Sequence, residues 1–212
     1  MKQALISIAA LLFLLAHDGP AAAASGTQTF NVDTARSSLE IDVYKGGFLG
    51  AFGHDHLIAA KELSGRVLLD PERLERSSVT LRVNARALTV IDPDISDLDR
   101  VRVQSTMQGD RVLDIARFPE IVFVSTGVTR ALKNGESWAV TVAGKLSLRG
   151  VEKEATLPVT LRLTGGELEG QGELALNQTD YGITPVKVAG GMVKVKDTVR
   201  IRFVIRARGT AP

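Results

Sequence analysis

The chain has 212 residues, with 26 Lys and Arg against 24 Asp and Glu, three His and no Cys. This length suffices for one domain, or two at most, to bury a core without disulfides or a structural metal. The lack of cysteine excludes zinc-ribbon, thioredoxin-like and cysteine-protease classes, and a formal net charge of +2 gives no reason to expect nucleic-acid binding.

The first 24 residues have the pattern of a secretory signal peptide. A short start containing Lys2 precedes an unbroken apolar run over 4–16, and small residues at 21–24 offer a cleavage site before Ser25. The apolar run is too short to span a bilayer as a helix, and no cysteine near the cleavage site could carry a lipid anchor. We therefore expect a signal peptide over 1–24, an exported domain over 25–212, and no membrane span.

Apolar and polar side chains alternate with a period of two along most of the remaining chain. This alternation predicts antiparallel strands with one solvated face. Turn sequences such as Asn134-Gly135 and Gly165-Gly166 separate the runs, and Asn-Gly between two such runs is a strong hairpin signal. The alternating runs cover 38–43, 78–87, 138–149, 156–163, 167–177 and 194–206.

The stretch around residues 96–117 does not alternate and predicts a short helical excursion. Ser96 or Asp97 is a candidate N-cap, and the sequence at 109–110 predicts a break. The four aspartates between 92 and 99 lack the glycine and the bidentate glutamate of a calcium loop. They favour an acidic cluster at the start of a helix.

These elements predict an all-β fold, an extended antiparallel up-and-down barrel with its apolar faces inward. An immunoglobulin-like sandwich usually has about 100 residues, far fewer than this chain. An outer-membrane barrel needs girdles of aromatic residues, and a chain with only 5% aromatic residues cannot form them. Gly144, Gly170 and Gly172 are expected to face inward and to leave room for an apolar cavity. A fully packed barrel is the alternative.

Four stretches, in order, resemble the YceI-like family. They are Phe30-Asn31-Val32-Asp33 with the strand that follows, residues 116–125 around Phe118-Pro119-Glu120, the strand and turn over 144–153, and Thr179-Asp180-Tyr181-Gly182-Ile183. The resemblance covers nearly all of the expected mature chain. It implies a lipocalin-like barrel, commonly periplasmic, that encloses a long apolar molecule such as a polyisoprenoid or an isoprenoid quinone. It implies a binding role and does not imply catalysis. We expect no cofactor beyond such a bound lipid or quinone.

Two features depart from the common pattern of that family. The segment 47–58 reads GFLGAFGHDHLI where many members have a plain hairpin, and Gln178 stands where an Arg often precedes the Asp-Tyr-Gly-Ile turn. Polar residues in a barrel usually meet the head group of the ligand. Both departures therefore bear on the identity of the ligand.

The His54-Asp55-His56 sequence contains the only histidines of the expected mature chain. In a strand, His54 and His56 share one face with Phe52 and Ile58, and Asp55 points the other way. Two imidazoles can provide two metal ligands, or two hydrogen-bond donors to an anionic or quinone head group. The third interpretation is structural, with each ring bonded to backbone carbonyls near an end of the barrel.

Four arginines form a basic stripe on the last predicted strand, at positions 200, 202, 206 and 208. Such a stripe could attract anionic lipid head groups. We favour a solvated face instead, in which these arginines pair with carboxylates of a neighbouring strand. The carboxylates available for this are Glu167, Glu169 and Glu173.

The sequence therefore predicts an exported protein, not an enzyme, that sequesters or carries an isoprenoid-like or quinone-like amphiphile inside its barrel. Two alternatives are a metal- or haem-interacting accessory protein that uses residues 54–56, and a structural, stress-related barrel without a ligand. The partner is an apolar small molecule or lipid; the oligomeric state is left open, a homodimer included. Predicted ligand contacts are Phe48, Phe52, His54, His56, Ile58, Phe123 and Trp138, and His54 and His56 are the candidate metal ligands.

Overall fold

The structure is a computed structural model that describes residues 26–46, 55–188 and 193–210. The expected signal peptide over 1–24 lies outside these residues. The described chain contains one α-helix, α1 (Asp97–Gln108), and short 3-10 helices at 34–36, 74–76, 85–87 and 178–181. The strands are β1 (Gln28–Val32), β2 (Ser38–Gly46), β3 (His56–Ala60), β4 (Leu63–Leu69), β5 (Ser78–Asn84), β6 (Leu88–Val90), β7 (Glu120–Asn134), β8 (Ser137–Leu148), β9 (Val151–Thr164), β10 (Glu167–Asn177), β11 (Lys187–Val188) and β12 (Val193–Gly209).

The strands close into an antiparallel barrel because β1 pairs with both β4 and β12. Next to β1, strand β2 also pairs with β12, and β3 and β6 continue the wall beside β2. The segments β1–β2, β3–β4 and β5–β6 thus each form one barrel strand with a break in the middle. The result is an eight-stranded closed barrel, which confirms the predicted all-β antiparallel architecture.

The barrel has two distinct ends. The β7–β8 and β9–β10 turns lie at one, which we call the hairpin end. The β8–β9 turn and the last residue of β10 lie at the other, which we call the helix end because α1 covers it beside β6. The Gln104 side chain anchors α1 by donating to the Leu88 carbonyl at 2.7 Å and accepting from the Val90 amide at 2.9 Å.

Helix α1 confirms the predicted excursion. Ser96 is its N-cap, with Oγ accepting from the Asp99 amide at 3.1 Å, and the helix ends at Gly109. Asp92 does not belong to the acidic cluster at the helix start, contrary to expectation, because its carboxylate is buried against β3. Within the described ranges, no helix is long and apolar enough to cross a bilayer.

One strand ends earlier than the alternating pattern predicts. The apolar residues continue with a period of two through Ala87, but β5 ends at Asn84. The Asn84 side chain accepts a hydrogen bond from the Arg86 amide at 3.0 Å and starts a 3-10 turn over 85–87. A local side-chain bond therefore interrupts the strand without changing the hydrophobic pattern.

The arginines of β12 form ion pairs with carboxylates on or next to neighbouring strands, as predicted. The pairs are Arg200–Glu173, Arg202–Asp42, Arg206–Glu169 and Arg208–Asp33. Glu167, the third predicted partner, pairs with Arg36 instead. These exposed pairs set cross-strand neighbours and contribute little to stability individually.

Candidate functional site

An apolar cavity of about 260 Å³ occupies the interior of the barrel. Inward-facing side chains of β2 to β10 and of β12 form its wall. Met107 of α1 and the following Val112 and Leu113 line it at the helix end, whereas Leu74 lines it at the hairpin end. The volume approaches the lower end of the range of small-molecule sites.

The wall carries few polar groups. Of the lining side chains that the structure describes, only Ser77, Ser78 and Gln178 are polar, and none is charged. An ionised group placed against this wall would lose its hydration without gaining a counter-ion, at a cost of several kcal/mol. The cavity therefore suits an uncharged apolar molecule.

Two of the predicted contact residues line this cavity. Ile58 and Phe123 are buried in the wall. Ile58 lies on β3, which pairs with β6, whereas Phe123 lies on β7, which pairs with β5. Trp138 lies outside the wall, beside the β7–β8 turn, where the Lys133 ammonium is 5.6 Å from the ring centroid. Phe48, Phe52 and His54 fall outside the described residues. A ligand contact at any of the seven positions stays a prediction.

His56 is held by a buried carboxylate. Its Nδ1 lies 2.6 Å from Asp92 Oδ2, and the Asp92 side chain is 5% exposed. The other oxygen of Asp92 accepts a hydrogen bond from the Leu57 amide. This arrangement fixes the plane of the His56 ring and leaves Nε2 as the nitrogen that can meet another group. His56 is not part of the cavity wall described here.

The metal hypothesis for His54 and His56 is neither supported nor contradicted. Among the residues that the structure describes, no three His, Cys, Asp or Glu side chains lie close enough to hold a metal ion. His54 is not one of those residues. The proposed two-histidine site therefore stays a prediction.

Alternation along the strands predicts most of the cavity wall. Ile201, Phe203 and Ile205 of β12 line the cavity on the face that the period of two assigned to the interior. The contact between His56 and Asp92, by contrast, joins residues 36 positions apart. Only the pairing of β3 with β6 brings them together, and no local pattern marks that pairing.

The expectation that three glycines leave space in the interior is correct only for Gly170, which lines the cavity. It is wrong for Gly144 and Gly172. At Gly144 the ring of Phe123 occupies the place of a side chain, and at Gly172 the ring of Phe203 does so. The glycines there allow an aromatic ring from the next strand to lie flat against the backbone.

We expect Gly144→Ala to destabilise the barrel by about 1–3 kcal/mol, as overpacking does in a tight interior. The added Cβ would overlap the Phe123 ring and lie 2.5 Å from the Val124 carbonyl oxygen. Gly127→Ala is the matched control, since nothing lies within 4 Å of a Cβ there. Urea unfolding of both variants checks this, and equal midpoints would contradict it.

Gln178 reaches the cavity because β9 and β10 separate. Their pairing stops at Val159 and Gly172, next to Pro158, which has no amide hydrogen for a ladder. Beyond this point the 3-10 helix at 178–181 packs against both strands. Tyr181 is buried there, and burial together with the Asp180 charge raises the pKa of its phenol above the usual value.

Several hydrogen bonds hold this 3-10 helix in place. Thr179 binds the Asp197 carboxylate through both its amide and its hydroxyl, at 2.9 and 2.6 Å. Gly182 then adopts a left-handed conformation with φ 68°, and its carbonyl accepts from Arg149 Nη1 at 2.6 Å. Residues 179–183 therefore form a tight turn, with Tyr181 buried beneath it.

Comparisons with known proteins agree with this architecture. The model of the YceI-like domain matches residues 30–207. UPF0312 proteins of Yersinia pestis and Yersinia pseudotuberculosis are 34% identical over 108 residues, which is 51% of this chain and 48% of theirs. The matched region thus spans about half the length of these curated relatives.

Solved structures show the same fold at low sequence identity. The crystal structure of Burkholderia cenocepacia BcnA is 22% identical, with a TM-score of 0.65 over 82% of this chain and 98% of that one. A Campylobacter jejuni YCEI protein is 11% identical, with a TM-score of 0.53 over 73% of this chain and 85% of that one. At these identities the likeness establishes the fold.

Proposed function

Since the chain belongs to the YceI-like family, we propose that it is an exported binding protein whose barrel encloses the apolar chain of an uncharged isoprenoid-like or quinone-like amphiphile. The observation that carries this proposal is the composition of the cavity wall, which is apolar apart from two serines and one glutamine. Burial of apolar chain contributes about 0.8 kcal/mol per CH₂ before ordering costs. A tail of ten to fifteen carbons would supply enough for micromolar binding.

Binding rather than catalysis fits the same wall. General acid–base and nucleophilic mechanisms need titratable or nucleophilic side chains at the substrate. The described wall offers hydroxyl groups only at Ser77 and Ser78 and no histidine or carboxylate. The Ser77 hydroxyl already accepts a hydrogen bond from the Asp70 amide at 3.0 Å.

Export supplies a reason for such a protein to exist. The amino-terminal pattern over 1–24 is that of a cleaved signal peptide, and a long apolar lipid is insoluble in the periplasm. A barrel that encloses the tail would keep it in solution between membranes. We therefore propose sequestration or carriage of the lipid as its role.

Native mass spectrometry of the mature protein purified from its own host tests this proposal. We expect an added mass that organic solvent extracts and that belongs to an uncharged lipid. The protein freed of its lipid is then titrated with farnesol, a C15 isoprenoid alcohol. Displacement of the fluorescent probe N-phenyl-1-naphthylamine by farnesol gives the affinity. A bare chain mass together with no binding of either compound would overturn the proposal.

A further inference from the structure

The side chain of Gln178 is a polar group set into an apolar wall. It is 9% exposed and lines the cavity at the helix end. The other polar lining residues, Ser77 and Ser78, precede β5 or start it and therefore lie at the hairpin end. The helix end thus offers an amide and the hairpin end offers hydroxyl groups. A ligand with one polar head and one apolar tail can therefore distinguish the two ends of the cavity.

The orientation of the Gln178 amide follows from its partner. Nε2 lies 2.9 Å from the Lys196 carbonyl oxygen, which can only accept a hydrogen bond, so the atom facing it must be the amide nitrogen. Oε1 is then the other terminal atom; it makes no hydrogen bond within the part of the chain that the structure describes, and it keeps accessible surface through which a ligand can reach it. The 3-10 helix that carries Gln178 is fixed by Asp197 and Arg149, so the amide is held in advance of binding.

We propose that Gln178 Oε1 accepts a hydrogen bond from the head group of the bound amphiphile, so that the barrel selects a ligand with an uncharged hydroxyl head and binds it with the head at the helix end. This inference rests on the proposed function and specifies its ligand class. An acceptor that the ligand covers discriminates against a ligand that cannot donate, because the acceptor and the ligand oxygen then both lose hydration without pairing. The tail extends towards Ser78 and Leu74 at the hairpin end.

Farnesol and its methyl ether test this proposal, because the ether oxygen can accept a hydrogen bond but cannot donate one. For the wild-type protein we expect the alcohol to bind about fivefold more tightly than the ether, the usual value of one buried hydrogen bond. In Gln178→Met, which keeps the length of the side chain, the ratio of the two affinities should fall to about one. The ratio is measured within a single variant, so a general loss of stability does not change it.

A second variant separates the head-group contact from the contact with Lys196. Gln178→Arg keeps donors for the Lys196 carbonyl but offers no acceptor, so it should also lose the preference for the alcohol. Ser78→Ala, at the hairpin end, is the matched control and should retain it.

The outcomes of this experiment are distinct. A preference for the ether, equal affinities in the wild type, or a preference that survives in both Gln178 variants would overturn the role of Gln178 and leave the proposed function standing. If Ser78→Ala, and not the Gln178 variants, loses the preference for the alcohol, the head group lies at the hairpin end, and the proposal is overturned. If neither compound binds the wild type, the proposed function fails as well.

Discussion

Replacing Leu174 with tryptophan is expected to weaken binding of farnesol and of N-phenyl-1-naphthylamine at least about tenfold, because the indole would take up cavity space that the ligand needs. Leu174 lines the cavity near the middle of β10, opposite Ile201 of β12. Its side chain faces the cavity and is not fully buried, so a larger ring at this position would extend into the cavity. Fluorescence titration with the probe measures the effect.

Ala175→Trp is the matched control for that variant. Ala175 is the next residue of the same strand and is exposed on the outer face, so the same ring there leaves the interior unchanged. Thermal unfolding of both variants shows whether each barrel is intact. Equal loss of binding in the two variants, or undiminished binding in Leu174→Trp with an intact barrel, would place the ligand somewhere other than this cavity.

The success of the sequence prediction for the barrel has a simple physical cause. A strand with one buried face must alternate, so runs such as 167–177 and 194–206 reveal both the strand and the side that faces inward. Leu174 and Phe203 belong to the apolar sets of these two runs, and both line the cavity. The turn chemistry at Asn134-Gly135 similarly revealed a hairpin, because only a few residues tolerate the backbone it requires.

The site was less predictable because it depends on which strands separate. Alternation shows which side of a strand faces inward, but it does not show which strand lies next to it. It therefore cannot reveal that β9 and β10 separate beyond Gly172. Pro158 was the available signal, since a proline in a strand marks an edge or an interruption of pairing. Gln178 departs from the family pattern, which is visible in the sequence. Its position in the cavity wall depends on the separation of β9 and β10, which is not.

The glycines show the opposite limitation. An inward glycine leaves space only if no neighbouring side chain fills it, and that depends on cross-strand register. In the register of β7 against β8, Phe123 pairs with Leu146, which is two residues from Gly144 on the same face of the strand. The Phe123 ring therefore reaches Gly144. A register with Phe123 opposite Leu148 would move the ring away from this glycine. Residue type alone therefore predicts neither a cavity nor its absence.

A charge on the head group is expected to abolish most of the binding. At pH 8 the protein should bind farnesol at least about 100-fold more tightly than farnesoic acid, which differs only in its ionised carboxylate, because desolvation of an unpaired ion costs several kcal/mol. No charged side chain lines the described wall to compensate for that cost. Displacement of N-phenyl-1-naphthylamine by each compound, with both held below the concentration at which they aggregate, gives the two affinities.

The pH dependence distinguishes burial of the head from other causes of weak binding. If only the protonated acid enters the cavity, its apparent affinity rises about tenfold for each unit that the pH falls towards the carboxyl pKa and levels off below it, while the affinity for farnesol stays constant. An intact barrel at each pH, checked by circular dichroism, is required for that comparison. Equal affinities for the acid and the alcohol at pH 8 would mean that the head remains in water outside the wall. Gln178 could then not be its partner, although the tail would still occupy the barrel, so this one titration separates where the head lies from whether the tail is enclosed.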